Sequence, residues 1–299
     1  MILIMCPTSK SGKGKRHWSY WKECLGKAGV QYRCVETGYR GHAFEIARDG
    51  GETVVAVGGD GIINEVINGA MAASKRQAVG VLYSGTSPDF CRFHGISVKP
   101  SESIQTLLSD RRRMVDVVKV EYNSDDDLPV TKYFASSSNV GLGSDVARFS
   151  NQKRRIFGDA IGTFLGLMRA ISLHRPKDLK LNIDGQEYLL EKCNHLMIVK
   201  NPYIASGLKL DLDLKNNDGR GYVMGICNRS KIGLLGLLPG IYSGKIAGSK
   251  DVFLKPFTRV EVSSREKVEI EFDGDPQGFL PLTAEIATRQ LELIGAANA

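Results

Sequence analysis

The chain has 299 residues, 42% of them hydrophobic and 24% charged, with a formal net charge of +7 and a pI near 9.0. That balance excludes a disordered chain, and the length exceeds what one hydrophobic core usually serves, so two domains are expected. A moderately basic surface suits an anionic partner, whether nucleotide, nucleic acid or acidic membrane, without choosing among them.

The opening MILIMCP is too short for a signal peptide and has no basic residues ahead of its apolar run, so it reads as a buried first strand. The polar stretch TSKSGKGK follows, then a helix with Trp18, Trp21, Leu25 and Ala28 on one face, closed by Gly29. QYRCVET is a second strand and GHAFEIARD a second helix. TVVAVGGD is a buried strand ending in glycines. It runs into a helix whose Ile62, Val66 and Ala70, beside Ile63, Ile67 and Met71, make a wide apolar face. QAVGVLYSG is a further strand. This alternation predicts a parallel sheet with helices on both faces.

Near residue 115 the pattern changes. VDVVKVEY, KYFASSSNV, LKLNIDG, EYLLEKC, HLMIVK, GYVMGIC, RVEVSS and KVEIEFDGD read as short strands separated by turn signals such as IDGQ, NNDG and FDGD. One helical segment, from Ile156 to Leu173, interrupts them, and the acidic NSDDD reads as an exposed loop. A second, mostly antiparallel β domain is expected. The helical segment is also the nearest approach to a membrane span, but Asp159 and Arg169 break it, so any membrane contact is expected to be peripheral. Cys6, Cys24, Cys34, Cys91, Cys193 and Cys227 form no CxxC pair and no metal-ligand spacing with the five histidines, so reduced thiols in a cytosolic protein are expected.

The segment VVAVGGDGIINEVING carries the most chemical information. Its strand stops at Gly58 and Gly59, where missing side chains let a phosphate approach the backbone. The helix that follows offers free N–H groups and a positive end. Asp60 stands between them, at the carboxyl end of the strand where open α/β sheets place their chemistry, and can accept a proton or hold Mg²⁺ through water. Two further phosphate candidates also follow strands. One is the loop Thr8-Ser9-Lys10-Ser11-Gly12-Lys13-Gly14-Lys15, which lacks Walker A spacing, and the other is Ser84-Gly85-Thr86-Ser87. The competing readings are a capped glycine turn, a solvated charge run and an ordinary turn.

Together these segments resemble the diacylglycerol kinase catalytic family, which includes bacterial lipid kinases and sphingosine kinases. VAVGGDGIINEVING resembles the family's GGDGTxNEVxNG signature, VLYSGTSPDFCR its PxGTxNDFAR segment, and CPTSKSGKGK its NPxSG-type start. VETGYRGHAFEIARD is similar to TxxxGHAxxLA, SSNVGLGSDV to NxxGxGxDA, and KRRIFGDAIGTFLGLMRA to the KxxLGxxAY helix. KNNDGRGYV and FDGDPQ are similar to the DGxLD and DGExx turns. The NAD kinases share GGDG but not the later elements.

The resemblance implies an α/β nucleotide domain over residues 1–118, related to NAD kinase and phosphofructokinase folds. It also implies a β-sandwich-like lipid-substrate domain over 119–285, and a segment 286–299 that returns to the first domain. It places nucleotide contacts at Ser9, Lys13, Thr37, Gly58, Gly59, Gly61, Glu65, Gly85 and Thr86, with ATP and Mg²⁺ as cofactors. Asp60 and Asp273 carry over as acidic catalytic residues, one acting on the lipid hydroxyl and the other organising Mg²⁺, and Asp275 stands in the place of a family glutamate. Asp218 matches a position that supports a structural Mg²⁺ in some bacterial members, although Lys215 and Arg220 replace the flanking leucines. Three positions depart from the pattern near the expected nucleotide: Ile62 for threonine, Pro88 for asparagine and Cys6 for asparagine.

The expected activity is phosphoryl transfer from ATP to a lipid hydroxyl by a cytoplasmic, peripherally membrane-associated enzyme with no nucleic-acid partner. The oligomeric state, monomer or homodimer, stays open. KIGLLGLLPGIYSGKIAG is either a lipid-access surface or ordinary packing, and the basic clusters Arg111–Arg113 and Lys153–Arg155 either meet anionic headgroups or are simply solvated. The alternatives are a catalytically impaired nucleotide- or lipid-binding homologue and an NAD kinase-like enzyme.

Overall fold

The computed structural model describes residues 1–7, 14–124, 126–146, 149, 159–204, 208–237, 239–240, 243–248, 252–272 and 275–295. In the first half, β1 (Ile2–Met5), α1 (Gly14–Lys27), β2 (Arg33–Glu36), α2 (His42–Arg48), β3 (Thr53–Gly58), α3 (Asp60–Ala72) and β4 (Ala78–Tyr83) follow the expected alternation. The parallel order β2-β1-β3-β4 results. Alternate residues of each strand point to opposite faces, and both faces are covered. Leu3, Val55 and Val57 pack with Trp18, Trp21 and Leu25 of α1, while Ile4, Val54 and Ala56 pack with Ile63, Val66 and Ile67 of α3. Ala28 lies beyond the end of α1 and is exposed, and Gly29 turns the chain at φ 65°. Two short helices that the periodicity did not announce, α4 (Asp89–Phe93) and α5 (Pro100–Leu108), complete this half.

The second half contains β5 (Arg112–Asn123), β6 (Pro129–Phe134), β7 (Ser137–Gly141), α6 (Asp159–Leu173), β8 (Lys177–Ile183), β9 (Gln186–Val199), β10 (Tyr203–Ile204) and β11 (Leu208–Lys209). After these come β12 (Gly221–Cys227), α7 (Lys231–Gly236), β13 (Val252–Phe257), β14 (Arg259–Ser263), β15 (Glu269–Phe272) and β16 (Asp275–Ile294). Apart from the β16 pairing with β4, every pairing here is antiparallel. KYFASSSNV, expected as one strand, is broken between Phe134 and Ser137 into β6 and β7. EYLLEKC and HLMIVK, expected as two, fuse into β9, with Lys192 at φ 47° where its ladder with β8 shifts register.

β5 and β16 run through both halves. Leu282 to Ala287 of β16 pair with Tyr122 to Val117 of β5, inside the second half. After a register shift, Leu291 to Ile294 pair with Val115 to Arg112, and Glu292 and Leu293 also lie parallel to Ala78 and Val79 of β4. The end of the chain thereby completes the first-half sheet. At the shift Arg289 adopts φ 49° and its amide donates to Asp116 Oδ1 at 2.9 Å. Among the described residues no helix is long and apolar enough to cross a membrane.

The α2–α3 crossing is set by Gly69, where a Cβ would stand 2.6 Å from Ala47 Cβ and against Phe44 O. Gly69→Ala is expected to destabilise the fold by about 1–3 kcal/mol. A lower denaturation midpoint at constant m-value is the expected reading; an unmoved midpoint would show that the two helices separate without strain.

Candidate active site

β3 and β4 end side by side, and their glycines let the following turns touch. Ser84 N donates to Gly58 O at 2.8 Å. A Cβ on Gly85 would lie 2.5 Å from Gly59 Cα and 2.6 Å from Tyr83 Oη, and one on Gly59 would lie 3.1 Å from Gly85 Cα. Neither turn tolerates a side chain where it meets the other. Gly59 is the N-cap of α3, and Gly61, in its first turn, is exposed with no atom within 4 Å of a would-be Cβ. The amino end of a 13-residue helix therefore faces open space beside two backbone turns, which fits a polyphosphate group. Thr86 is exposed on the β4 turn, and Thr37 follows β2 with its amide on Met5 O at 2.8 Å.

Asp60 lies in the first turn of α3, half-buried, and accepts a hydrogen bond from Tyr83 Oη at 3.3 Å. Burial first, and the Asp60 charge second, push the Tyr83 phenol well above its usual value, so it stays a donor. Glu65 has a positioning geometry. Its two oxygens accept the Gly41 and Ala43 amides at 3.0 and 3.2 Å, which ties the start of α2, and the Thr37 segment before it, to α3. Asn68 exchanges two 2.8 Å bonds with the backbone of Tyr133, as a neighbouring strand would, and holds α3 against β6.

The three departures from the family pattern each have a local fit. The Ile62 side chain packs under Gly58, where a Cβ would stand 2.6 Å from its Cγ2. Pro88 precedes α4 and offers its carbonyl to Arg92 N at 2.9 Å, a place that asks for no N–H. The Cys6 side chain packs, partly buried, against the core cluster that includes Ile4, Ile62 and Ile63.

The second half reaches this end of the sheet through Asn201, which is fully buried. Its Nδ2 donates to Asp89 O at 3.0 Å and to Ser136 Oγ at 3.1 Å. Asp89 is buried in turn and accepts from Ser87 Oγ at 3.0 Å. Two residues along from Ser136, Ser138 pairs with Phe272, which also faces Asp275. Ser9, Lys13, Asp273 and the Asp275 side chain lie outside the described residues, as does Lys153–Arg155. Buried Glu271 accepts from Asn139 Nδ2, and His195 Nδ1 accepts from Gly143 N at 3.2 Å. Burial first, then His174, lowers His195 to about 4, so it fixes the Gly141–Gly143 turn as a neutral ring. Sequence reasoning singled out none of Tyr83, Asp89, Glu271 or Asn201, because an isolated polar residue, in a strand or just beyond one, carries no spacing pattern.

Asp218, expected as a metal ligand, has other partners. Its Oδ1 accepts from Lys200 Nζ at 2.7 Å, and its Oδ2 accepts from Lys215 N at 2.9 Å and Arg220 Nε at 3.2 Å. Burial alone would raise its carboxyl, but hydrogen bonds from Lys200 and the Lys215 amide hold it below the usual carboxylate value. With an ammonium seated on it, the site does not fit a divalent ion. The Arg111–Arg113 cluster is likewise largely engaged, since Arg112 pairs with Asp110 at 3.0 Å and Arg113 donates to His94 O.

Comparison with known proteins agrees with this geometry. The family described as "Diacylglycerol kinase catalytic domain" matches residues 1–120, and "YegS C-terminal NAD kinase beta sandwich-like domain" matches residues 136–295. The chain is 25% identical over 287 residues to a diacylglycerol kinase of Bacillus subtilis, covering 93% of this chain and 90% of that protein. It superposes on the crystal structure of a diacylglycerol kinase from Bacillus anthracis with a TM-score of 0.72 at 16% identity, over 99% of this chain and 96% of that one. Yeast NADH kinase, solved with NADH, gives a TM-score of 0.57 at 12% identity, over 99% and 83%. The fold is therefore an α/β half joined to an antiparallel β-rich half of the kind these kinases share. Matched in order along both halves, the chain belongs to the diacylglycerol kinase catalytic-domain family, a family of kinases.

Proposed function

We propose that this protein transfers the γ-phosphoryl group of ATP to the hydroxyl of diacylglycerol or a related lipid. The observation that carries the reading is the contact of the Gly59 and Gly85 turns beside the open first turn of α3, with Asp60 inside that turn. Family membership supports the use of a nucleotide. The amides of α3 and the exposed Thr86 take the phosphates, and Ser9 and Lys13, which follow β1 in sequence, are proposed as further phosphate contacts. Mg²⁺, when bound with ATP, offsets charge on the phosphate oxygens. Asp60, held by Tyr83, stands on the phosphate side and is assigned to orient that end of the nucleotide. The lipid oxygen attacks the γ-phosphorus as the bond to the ADP oxygen breaks. The hydroxyl proton passes to a carboxylate, for which Asp273 is assigned, with Asp275 beside it in sequence.

The acceptor reading is supported by an apolar surface on the second half. Phe164 and Leu173 of α6 are 60% exposed, Leu165 39%, and Ile232 of α7 82%. Lys231 Nζ donates to Ser172 O and so brings the two helix ends together, with Lys231, Arg169 and Ser172 also exposed. Apolar side chains left in water beside cations suit peripheral contact with an anionic bilayer. The likeness to NADH kinase motivates a second acceptor, a soluble dinucleotide.

Label transfer from γ-labelled ATP with Mg²⁺ tests both acceptors, using mixed micelles of diacylglycerol, monoacylglycerol, sphingosine and ceramide and, separately, NAD. Label in one lipid is expected. Label in NAD alone, or in nothing while ATP still binds, would overturn the reading. Asp60→Asn, which loosens the orientation of the nucleotide, is expected to cut turnover about a hundredfold while the melting temperature holds. Gly85→Ala, which forces the two turns apart, is expected to weaken ATP binding about tenfold or more in calorimetric titration. For the membrane contact, Ile232→Glu combined with Phe164→Glu is expected to reduce co-sedimentation with anionic vesicles by about ten- to a hundredfold. Unchanged co-sedimentation would remove that surface from the account.

A further inference from the structure

Lys200 has no exposed side-chain surface, yet it carries a charge into the joint between the halves. Its ammonium donates to Asp218 Oδ1 at 2.7 Å, Arg220 O at 2.9 Å and Lys215 O at 3.0 Å, and Asp116 Oδ2 lies 3.1 Å away. Three donors thus meet three oxygens, with a second carboxylate as the fourth neighbour. These oxygens come from distant parts of the chain: β5 supplies Asp116, the loop before β12 supplies the other three, and Lys200 follows β9. Asp116 does further service. Its Oδ1 accepts the Arg289 amide at the register shift of β16, and its Oδ2 accepts the Gly219 amide at 2.8 Å.

Two carboxylates and two carbonyls facing one point are the donor set of a hard divalent cation. Arg220, 3.2 Å from Asp218 through Nε and 2.8 Å from the exposed Asp213 through its terminal nitrogen, supplies a second positive charge, so two cations face the buried Asp116 and the mostly buried Asp218, with Asp213 in solvent at the outer edge. The spacing favours an ammonium, because Mg²⁺ draws its oxygens in to about 2.0–2.1 Å.

We infer that Lys200 and Arg220 together replace a structural divalent cation, so that the joint between the two halves closes without metal. An internal cation is bound at every free metal concentration. It is also lost only by mutation, since removing one partner of a buried pair strands the other charges. The inference stands apart from the kinase reading, because it concerns no atom of the nucleotide or lipid.

The test is the melting temperature of the full chain, without nucleotide, in EDTA and in excess Mg²⁺ or Ca²⁺, for wild type, Lys200→Ala and Asp218→Asn. Wild type is expected to melt at the same temperature in all three solutions. Lys200→Ala is expected to melt roughly 5–10 °C lower in EDTA and to recover part of the loss in either metal, because the oxygens then have only a metal to gather around. A metal-induced rise in wild type that Asp218→Asn abolishes would overturn the inference, as would Lys200→Ala melting like wild type in EDTA. If Lys200→Ala does not fold, the wild-type and Asp218→Asn scans still decide.

Discussion

A buried charge cluster sits where the two halves of this chain meet, and the placement of the site depends on it. β5 and β16 pass from the β-rich half into the parallel sheet by slipping register between Ala287 and Leu291. A slip of this kind frees backbone groups that need partners in a dry interior. Asp116 accepts the Arg289 amide there and also faces the ammonium of Lys200. Taking an ammonium out of water costs several kcal/mol unless oxygens replace the water, and here four do so. The residue after Lys200 is Asn201, which bridges Ser136 and the first turn of α4. The cluster that closes the joint therefore also sets the height of the β7 end against the glycine turns.

The first half supplies what a phosphate needs, and it does so with backbone. The turns after β3 and β4 approach within van der Waals contact because both meeting residues are glycine, and their carboxylates and hydroxyls are placed by neighbours. Tyr83 fixes Asp60, Ser87 contacts Asp89, and Glu65 draws the start of α2 toward α3. Under the proposed reading, a site built from backbone amides depends little on any single side-chain contact to phosphate. That explains how Ile62 and Pro88 stand where the family carries threonine and asparagine: each packs into or begins the element it belongs to.

Much of the first half was legible because each strand and helix has a clean period. The glycine motif announced its own strand–turn–helix geometry, whereas its contact with the Gly85 turn came only from the fold. Glu65 was read as a nucleotide contact on family resemblance; what no motif announced is that its two oxygens accept the Gly41 and Ala43 amides. α4 and α5 escaped because five and nine residues give too little periodicity. β16 was only half seen, since its bulge breaks the alternation of LPLTAEIATRQLELI and Pro281 argues against a long strand. Lys200 was invisible for a plainer reason. A lysine at the end of an apolar strand reads as a solvated tip, and only the fold brings Asp116, from 84 positions earlier, to meet it.

The central claim is that the nucleotide phosphates lie against the touching turns of β3 and β4. The most direct measurement is a crystal structure of the protein with a non-hydrolysable ATP analogue and Mg²⁺. The account predicts the β- and γ-phosphates within hydrogen-bond reach of the amides at Gly59 to Gly61 and of the turn at Gly85 to Ser87, with Asp60 on the same side. Phosphates bound elsewhere on the chain, with the open turn of α3 holding only water, would contradict it.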